Sequence, residues 1–170
     1  SEQFDTKSQS PTRKDVKPLK IVQPNGVSYK INGHEIIWQK WHFRWALHPR
    51  EGLILYDIGY EDQGKIRPIL YRASVSEMVV PYGDPDSNWS WRNAFDAGEY
   101  GIGRLAAPLE KGKDIPTNGQ LLSTYFSDDS GKSYEAKNVV GLYERDGGMI
   151  WKHWDIYSNK NEARRARELV

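Results

Sequence analysis

The stretch Trp41-His42-Phe43-Arg44-Trp45-Ala46-Leu47 alternates with period two. Trp41, Phe43, Trp45 and Leu47 fall on one face, while His42 and Arg44 fall on the other, the pattern of a half-buried strand. Residues 53–60, 66–71, 74–80, 138–143 and 149–154 are further strand candidates, rich in β-branched and aromatic side chains. Turn signals separate them. Asn25-Gly26 and Asn32-Gly33 are tight-turn dipeptides favouring positive φ at both central residues. Glu61-Asp62-Gln63-Gly64, Asp128-Asp129-Ser130-Gly131 and Asp146-Gly147-Gly148 read as loops. Short strands punctuated by Gly and Pro predict a mainly β chain, an antiparallel β-sandwich with few short helices, rather than an α/β fold.

Composition sets the outer bounds. A chain of 170 residues suits one domain or a piece of a larger one, and 38% hydrophobic residues with seven Trp and ten Tyr can fill a core. A net charge of +1 gives no reason to expect a nucleic-acid or membrane partner. No apolar run reaches the ~18 residues of a spanning helix. Cysteine is absent, which excludes disulfides, thiolate chemistry and Cys-based zinc sites, and leaves the compartment open. Residues 1–17 are polar and charged and read as a flexible leader, with a domain over 18–170. The tail from Asn159 to Val170 is ambiguous: propensity favours helix, through Glu162, its alanines and its arginines, but no cap closes its C-terminal end. It stops on the apolar pair Leu169-Val170, as an element cut in its middle would.

Candidate sites were weighed against plainer readings. His34, His42, His48 and His153 form no His-x-His pair and no His-Glu-x-x-His motif, so they read as strand and surface residues. Gly98, Gly101 and Gly103 have the wrong spacing for a dinucleotide loop and read as turn or bulge glycines. Asn88-Trp89-Ser90 fits a glycosylation acceptor of a kind that chance often produces. Arg164, Arg165 and Arg167 form a short basic patch flanked by Glu162 and Glu168, read as a solvated face. The aromatics of residues 38–45 suit a sandwich core better than a carbohydrate platform. Asp96 directly follows Phe95 in a glycine-rich stretch. A carboxylate packed against aromatics has its charged form disfavoured, which raises its pKa and makes it a useful base near neutrality.

Several blocks in order resemble one family. They are Pro18-Leu19-Lys20-Ile21-Val22-Gln23-Pro24, Trp38-Gln39-Lys40-Trp41 and His48-Pro49-Arg50-Glu51-Gly52-Leu53. Ser76-Glu77-Met78-Val79-Val80-Pro81-Tyr82-Gly83-Asp84-Pro85 and Asn93-Ala94-Phe95-Asp96-Ala97-Gly98-Glu99-Tyr100-Gly101 follow, then Gly112-Lys113-Asp114, residues 138–144 and Trp151-Lys152-His153. Together these blocks resemble the front of the catalytic β-sandwich of copper/topaquinone primary amine oxidases, from about Pro18 to Val170.

The resemblance implies oxidative deamination of a primary amine to aldehyde, ammonia and hydrogen peroxide. It assigns Asp96 as the base that removes the Schiff-base α-proton, and Tyr82 as the tyrosine whose hydroxyl bonds a quinone oxygen. Ala94 stands where some members carry a gating aromatic, which implies a roomy entrance for bulkier or arylalkyl amines. Gly112-Lys113-Asp114-Ile115 replaces a Gly-Cys-Asp-Cys stretch and removes a disulfide half, as in a cysteine-poor bacterial branch. The family's cofactor tyrosine and its His-x-His copper ligands are expected beyond Val170, so the chain alone should bind neither copper nor topaquinone and should be inactive. The implied partners are the amine, the remainder of the catalytic domain and a second subunit in a homodimer. A reading from another class is a non-catalytic sandwich module that binds a ligand in an aromatic groove.

Overall fold

The computed structural model describes residues 15–75, 78, 80–90 and 100–170. The antiparallel expectation is met, with nine strands in three sheets among the described residues. Strands β1 (Tyr29–Asn32), β2 (Glu35–Trp38), β3 (Trp41–His48), β4 (Gly52–Asp62) and β5 (Lys65–Ser74) form a five-stranded meander in chain order. Strands β6 (Gln120–Ser127) and β7 (Ser133–Leu142) make one hairpin, and β8 (Glu144–Asp155) and β9 (Lys160–Leu169) another.

Turn chemistry explains the meander. Asp62 pairs with Lys65 across Gln63 and Gly64, which both take positive φ, the geometry that matches strand twist. At the first hairpin Asn32 pairs with Glu35, so the loop residues are Gly33 and His34, one step later than the sequence implied. Only Gly33 takes positive φ there. The β3–β4 connection holds three residues, 49–51, and is closed by Gly52 at φ 75°.

The structure decides the ambiguous tail and corrects a loop and a strand expectation. Residues 160–169 form strand β9, not a helix, because Glu and Arg side chains find partners across the hairpin. Arg165 pairs with Asp146, and Arg145 with Glu168 at 2.6 Å. Long-range pairing outweighs a helix preference of a few tenths of a kcal/mol per residue. Asp146-Gly147-Gly148 is no loop. It is a bulge within β8, where Gly148 at φ 81° lets the register slip between Asp146 and Met149. Of the expected strand 74–80, Ser74 ends β5, and Val75, Met78 and Val80 lie outside any named strand. Residues 76, 77 and 79 lie outside the described residues, as does the leader through residue 14.

The core joins the sheets. Tyr29, Ile36 and Trp45 of the meander meet Leu142 of β7, with Leu122, Val140 and Leu169 packed against them. Burying an apolar side chain of this size contributes about 1.5–3 kcal/mol. Trp45 is the centre of the period-two stretch, and Arg44 and His48 are exposed as the alternation requires.

Beside this core lies one charge, Glu144, only 1% exposed. Its carboxylate accepts from the Ser28 amide at 2.8 Å, the Trp38 indole at 3.0 Å and the Gln23 amide group. Arg167 of β9 stands 3.9 Å away. Burial pushes this carboxyl up, but the Ser28, Trp38 and Gln23 donors outweigh it and hold it below the ordinary glutamate range. Its stabilisation is therefore full above about pH 4.3, the unperturbed value, and is lost as pH falls through the lower folded value.

Glu144→Ala leaves the Trp38 and Gln23 donors without their acceptor and is expected to cost about 1–3 kcal/mol, read as a lower thermal-unfolding midpoint. In Glu144→Gln, the loss of stability on acidification below pH 4 should be smaller than in the parent. An unchanged acid limb would remove Glu144 from that role.

Candidate active site

Tyr82 lies beyond β5, 59% exposed, with its ring edge-on to Trp89 at 5.8 Å between centroids. Trp89 belongs to a turn organised by Asp86, whose carbonyl accepts from the Trp89 and Ser90 amides and whose carboxylate accepts from Asn88 N–H. Asp96 and Ala94 lie outside the described residues. The chain is described again from Tyr100, and what anchors it there is clear.

Residues 101–104 lie against the β3–β4 turn. Ile102 N–H donates to Arg50 O and Arg104 N–H to Pro49 O, both at 2.9 Å. Gly101 and Gly103 are buried in this contact. A Cβ at Gly103 would stand 2.0 Å from His48 O, and one at Gly101, where φ is 90°, 2.4 Å from Pro49 O. The sequence reading of these as turn or bulge glycines had the backbone requirement right and missed its partner. Gly52 completes the fit, since a Cβ there would press on the Ile102 side chain at 2.7 Å.

The turn is itself tied to β5. Glu51 accepts hydrogen bonds from the Arg72 guanidinium and, at 2.9 Å, from Ser74 Oγ. Arg72 and then Ser74 hold the Glu51 carboxyl below its ordinary range. His48 Nδ1 accepts from Arg50 N–H at 3.2 Å and closes the turn internally. Nothing in the sequence alone pointed to Glu51 apart from its place in the His48–Leu53 block.

The histidines are dispersed. His34 Nδ1 lies 3.0 Å from Trp45 O, and His42 Nε2 lies 3.7 Å from Glu61 with no hydrogen-bond partner. His48 serves its turn, and His153 stacks on Trp151 at 5.8 Å. Among the described residues no three His, Cys, Asp or Glu side chains gather into a metal-holding set. A copper site does not fit these residues. Trp38, Trp41 and Trp45 do not line an open groove: Trp45 is buried, Trp38 packs on the core and bonds Glu144, and Trp41 lies edge-on to Tyr60.

Comparison with known proteins gives the class. Residues 30–170 match the model of the copper amine oxidase enzyme domain. The chain belongs to the copper amine oxidase family. It is 42% identical over 158 residues to a primary amine oxidase of Arthrobacter sp. (strain P1), covering 93% of this chain and 24% of that protein. It is 41% identical over 158 residues to histamine oxidase of Arthrobacter globiformis, covering 93% of this chain and 23% of that protein. The fold matches the copper-containing benzylamine oxidase of Hansenula polymorpha with a TM-score of 0.81 at 35% identity, over 98% of this chain and 25% of that one. The chain thus spans about a quarter of the length of these relatives.

Gly103→Ala is expected to destabilise the fold by about 1–3 kcal/mol, because backbone must move to admit the methyl group. Gly131→Ala, which meets open space at φ 81°, should cost only about 1 kcal/mol of backbone strain. Thermal unfolding of the two variants checks the difference, and equal midpoints would sink it.

Proposed function

We propose that this chain is part of a primary-amine oxidase in which Asp96 is the proton-abstracting base and Tyr82 orients the quinone cofactor. The match of residues 30–170 to the family's enzyme domain carries the reading. Within that span, residues 93–101 keep the acidic residue in its aromatic and glycine-rich setting. The quinone, when bound, supplies the carbonyl that condenses with the amine and takes up its electrons. Asp96 accepts the proton from the carbon bearing the nitrogen, which a carboxylate can do only when held within hydrogen-bond reach. Tyr82 directs its hydroxyl to a quinone oxygen and so limits rotation of the ring. Packing of its own ring on Trp89 supports that positioning role.

In this reading copper is held outside the described residues, and the chain by itself is inactive. The related proteins are named for different amines, so the substrate is assigned only as a primary amine. Ala94 in place of an aromatic gate favours arylalkyl substrates. The homodimer is part of this reading on the family resemblance. Among the described residues the strands of the β8–β9 hairpin pair only with each other, and the hairpin exposes Ile150, Trp154, Ile156 and Tyr157 as apolar surface for the remainder of the catalytic domain or a second subunit.

In the full-length holoprotein, Asp96→Asn should leave copper content and the visible quinone absorption intact while kcat falls about 10²–10⁴-fold. Full turnover in that variant would remove Asp96 from the mechanism. Ala94→Tyr should lower kcat/KM for an arylalkyl amine about tenfold more than for a small alkylamine, within the usual range for pocket steric effects. Equal losses for both amines would count against a gate at this position.

A further inference from the structure

Glu51 sits in a turn that carries neither Tyr82 nor Asp96, yet that turn touches the chain leading to each. On one side its Oε2 accepts from Arg72 and from Ser74 Oγ, and Arg72 Nη1 also donates to Ser74 Oγ at 3.3 Å. Arg72 is held in turn over the Tyr56 ring, 5.8 Å from its centroid. Ser74 ends β5, and the chain from it leads on to Tyr82. On the other side the same turn presents the Pro49 and Arg50 carbonyls to residues 101–104, where the chain arrives from Asp96. A Cβ at Gly101 or Gly103 would clash with the backbone of residues 48–50, so the two stretches meet in close backbone contact.

We propose that Glu51 is a positioning residue for amine oxidation, fixing the turn that sets the chain carrying Asp96 relative to the chain carrying Tyr82. The proposal rests on the reading of Asp96 as the base. Arg72, Ser74 and Glu51 converge from two elements, and a guanidinium and a hydroxyl on one carboxylate define its orientation as a single pair would not. An exposed ion pair of this kind contributes little to global stability. Its consequence is geometric: displacement of a base by about 1 Å can slow proton transfer on the order of 10²-fold.

The test uses the full-length holoprotein with Glu51→Gln, Glu51→Ala and Glu51→Asp, assayed with a primary amine and its α-deuterated form. In the Gln and Ala variants kcat should fall tenfold or more with little change in KM. The deuterium isotope effect should rise, because the proton step has become slower than the others. Glu51→Asp, which keeps the charge, should recover part of the rate. Amide exchange at Ile102 and Arg104 should quicken while that of β1–β3 stays unchanged, a readout independent of turnover. Parental kcat and isotope effect in Glu51→Ala would overturn the proposal. So would a loss of rate that only tracks a loss of folded protein, with an unchanged isotope effect. If the alanine variant does not fold, the glutamine variant decides by the same measurements. Asp96→Asn is assayed alongside: full turnover there overturns the base assignment itself, whatever the Glu51 variants do.

Discussion

Glu144 is a carboxylate that water does not reach, and its lone pairs are satisfied from three separate parts of the chain. Ser28 and Gln23 precede β1, Trp38 ends β2, and Arg167 lies in β9. A buried charge without such partners would be untenable, so these segments must meet where they do. The Tyr29 hydroxyl, donating to Leu142 O at 3.3 Å, reinforces the same junction. Burial, and then the nearby Glu144 charge, push the Tyr29 hydroxyl's pKa up. The apolar core and the polar junction are adjacent, and together they join the meander to both hairpins.

The meander then fixes the two ends of a neighbouring stretch of chain. Its β3–β4 turn projects the carbonyls of residues 49 and 50 toward the incoming chain at 101–104, and its β5 end releases the chain toward Tyr82. Of the two residues proposed for chemistry, Tyr82 lies in the segment after β5, and Asp96 lies outside the described residues. Loops positioned by a rigid sheet are the usual place for reactive groups. Here the anchoring points are a carboxylate with two donors and a pair of obligatory glycines.

The misreadings have a common cause. Residues 160–169 carry good helix formers, and Asp146-Gly147-Gly148 carries good loop formers, and each local preference was read correctly. Both segments lie in one hairpin, whose pairing is decided by partners far along the chain: Asp146 with Arg165, Arg145 with Glu168. Strand β6 was not anticipated at all. Its Leu121 and Leu122 are adjacent rather than alternating, and the pattern Gln120–Ser127 becomes intelligible only beside β7.

The sequence by itself determined the β class, because period-two alternation and Gly-containing turns are local properties that survive any arrangement of the sheets. It also determined the family, through ordered blocks of residues, and it named Asp96, Tyr82 and Ala94 as the positions of interest. Only the tertiary structure decided how two of those blocks meet. That His48–Leu53 and Gly101–Gly103 touch could not be read from either alone, since a close backbone approach leaves no mark except a glycine. The same holds for Glu144, an ordinary acidic residue until folding surrounds it with donors.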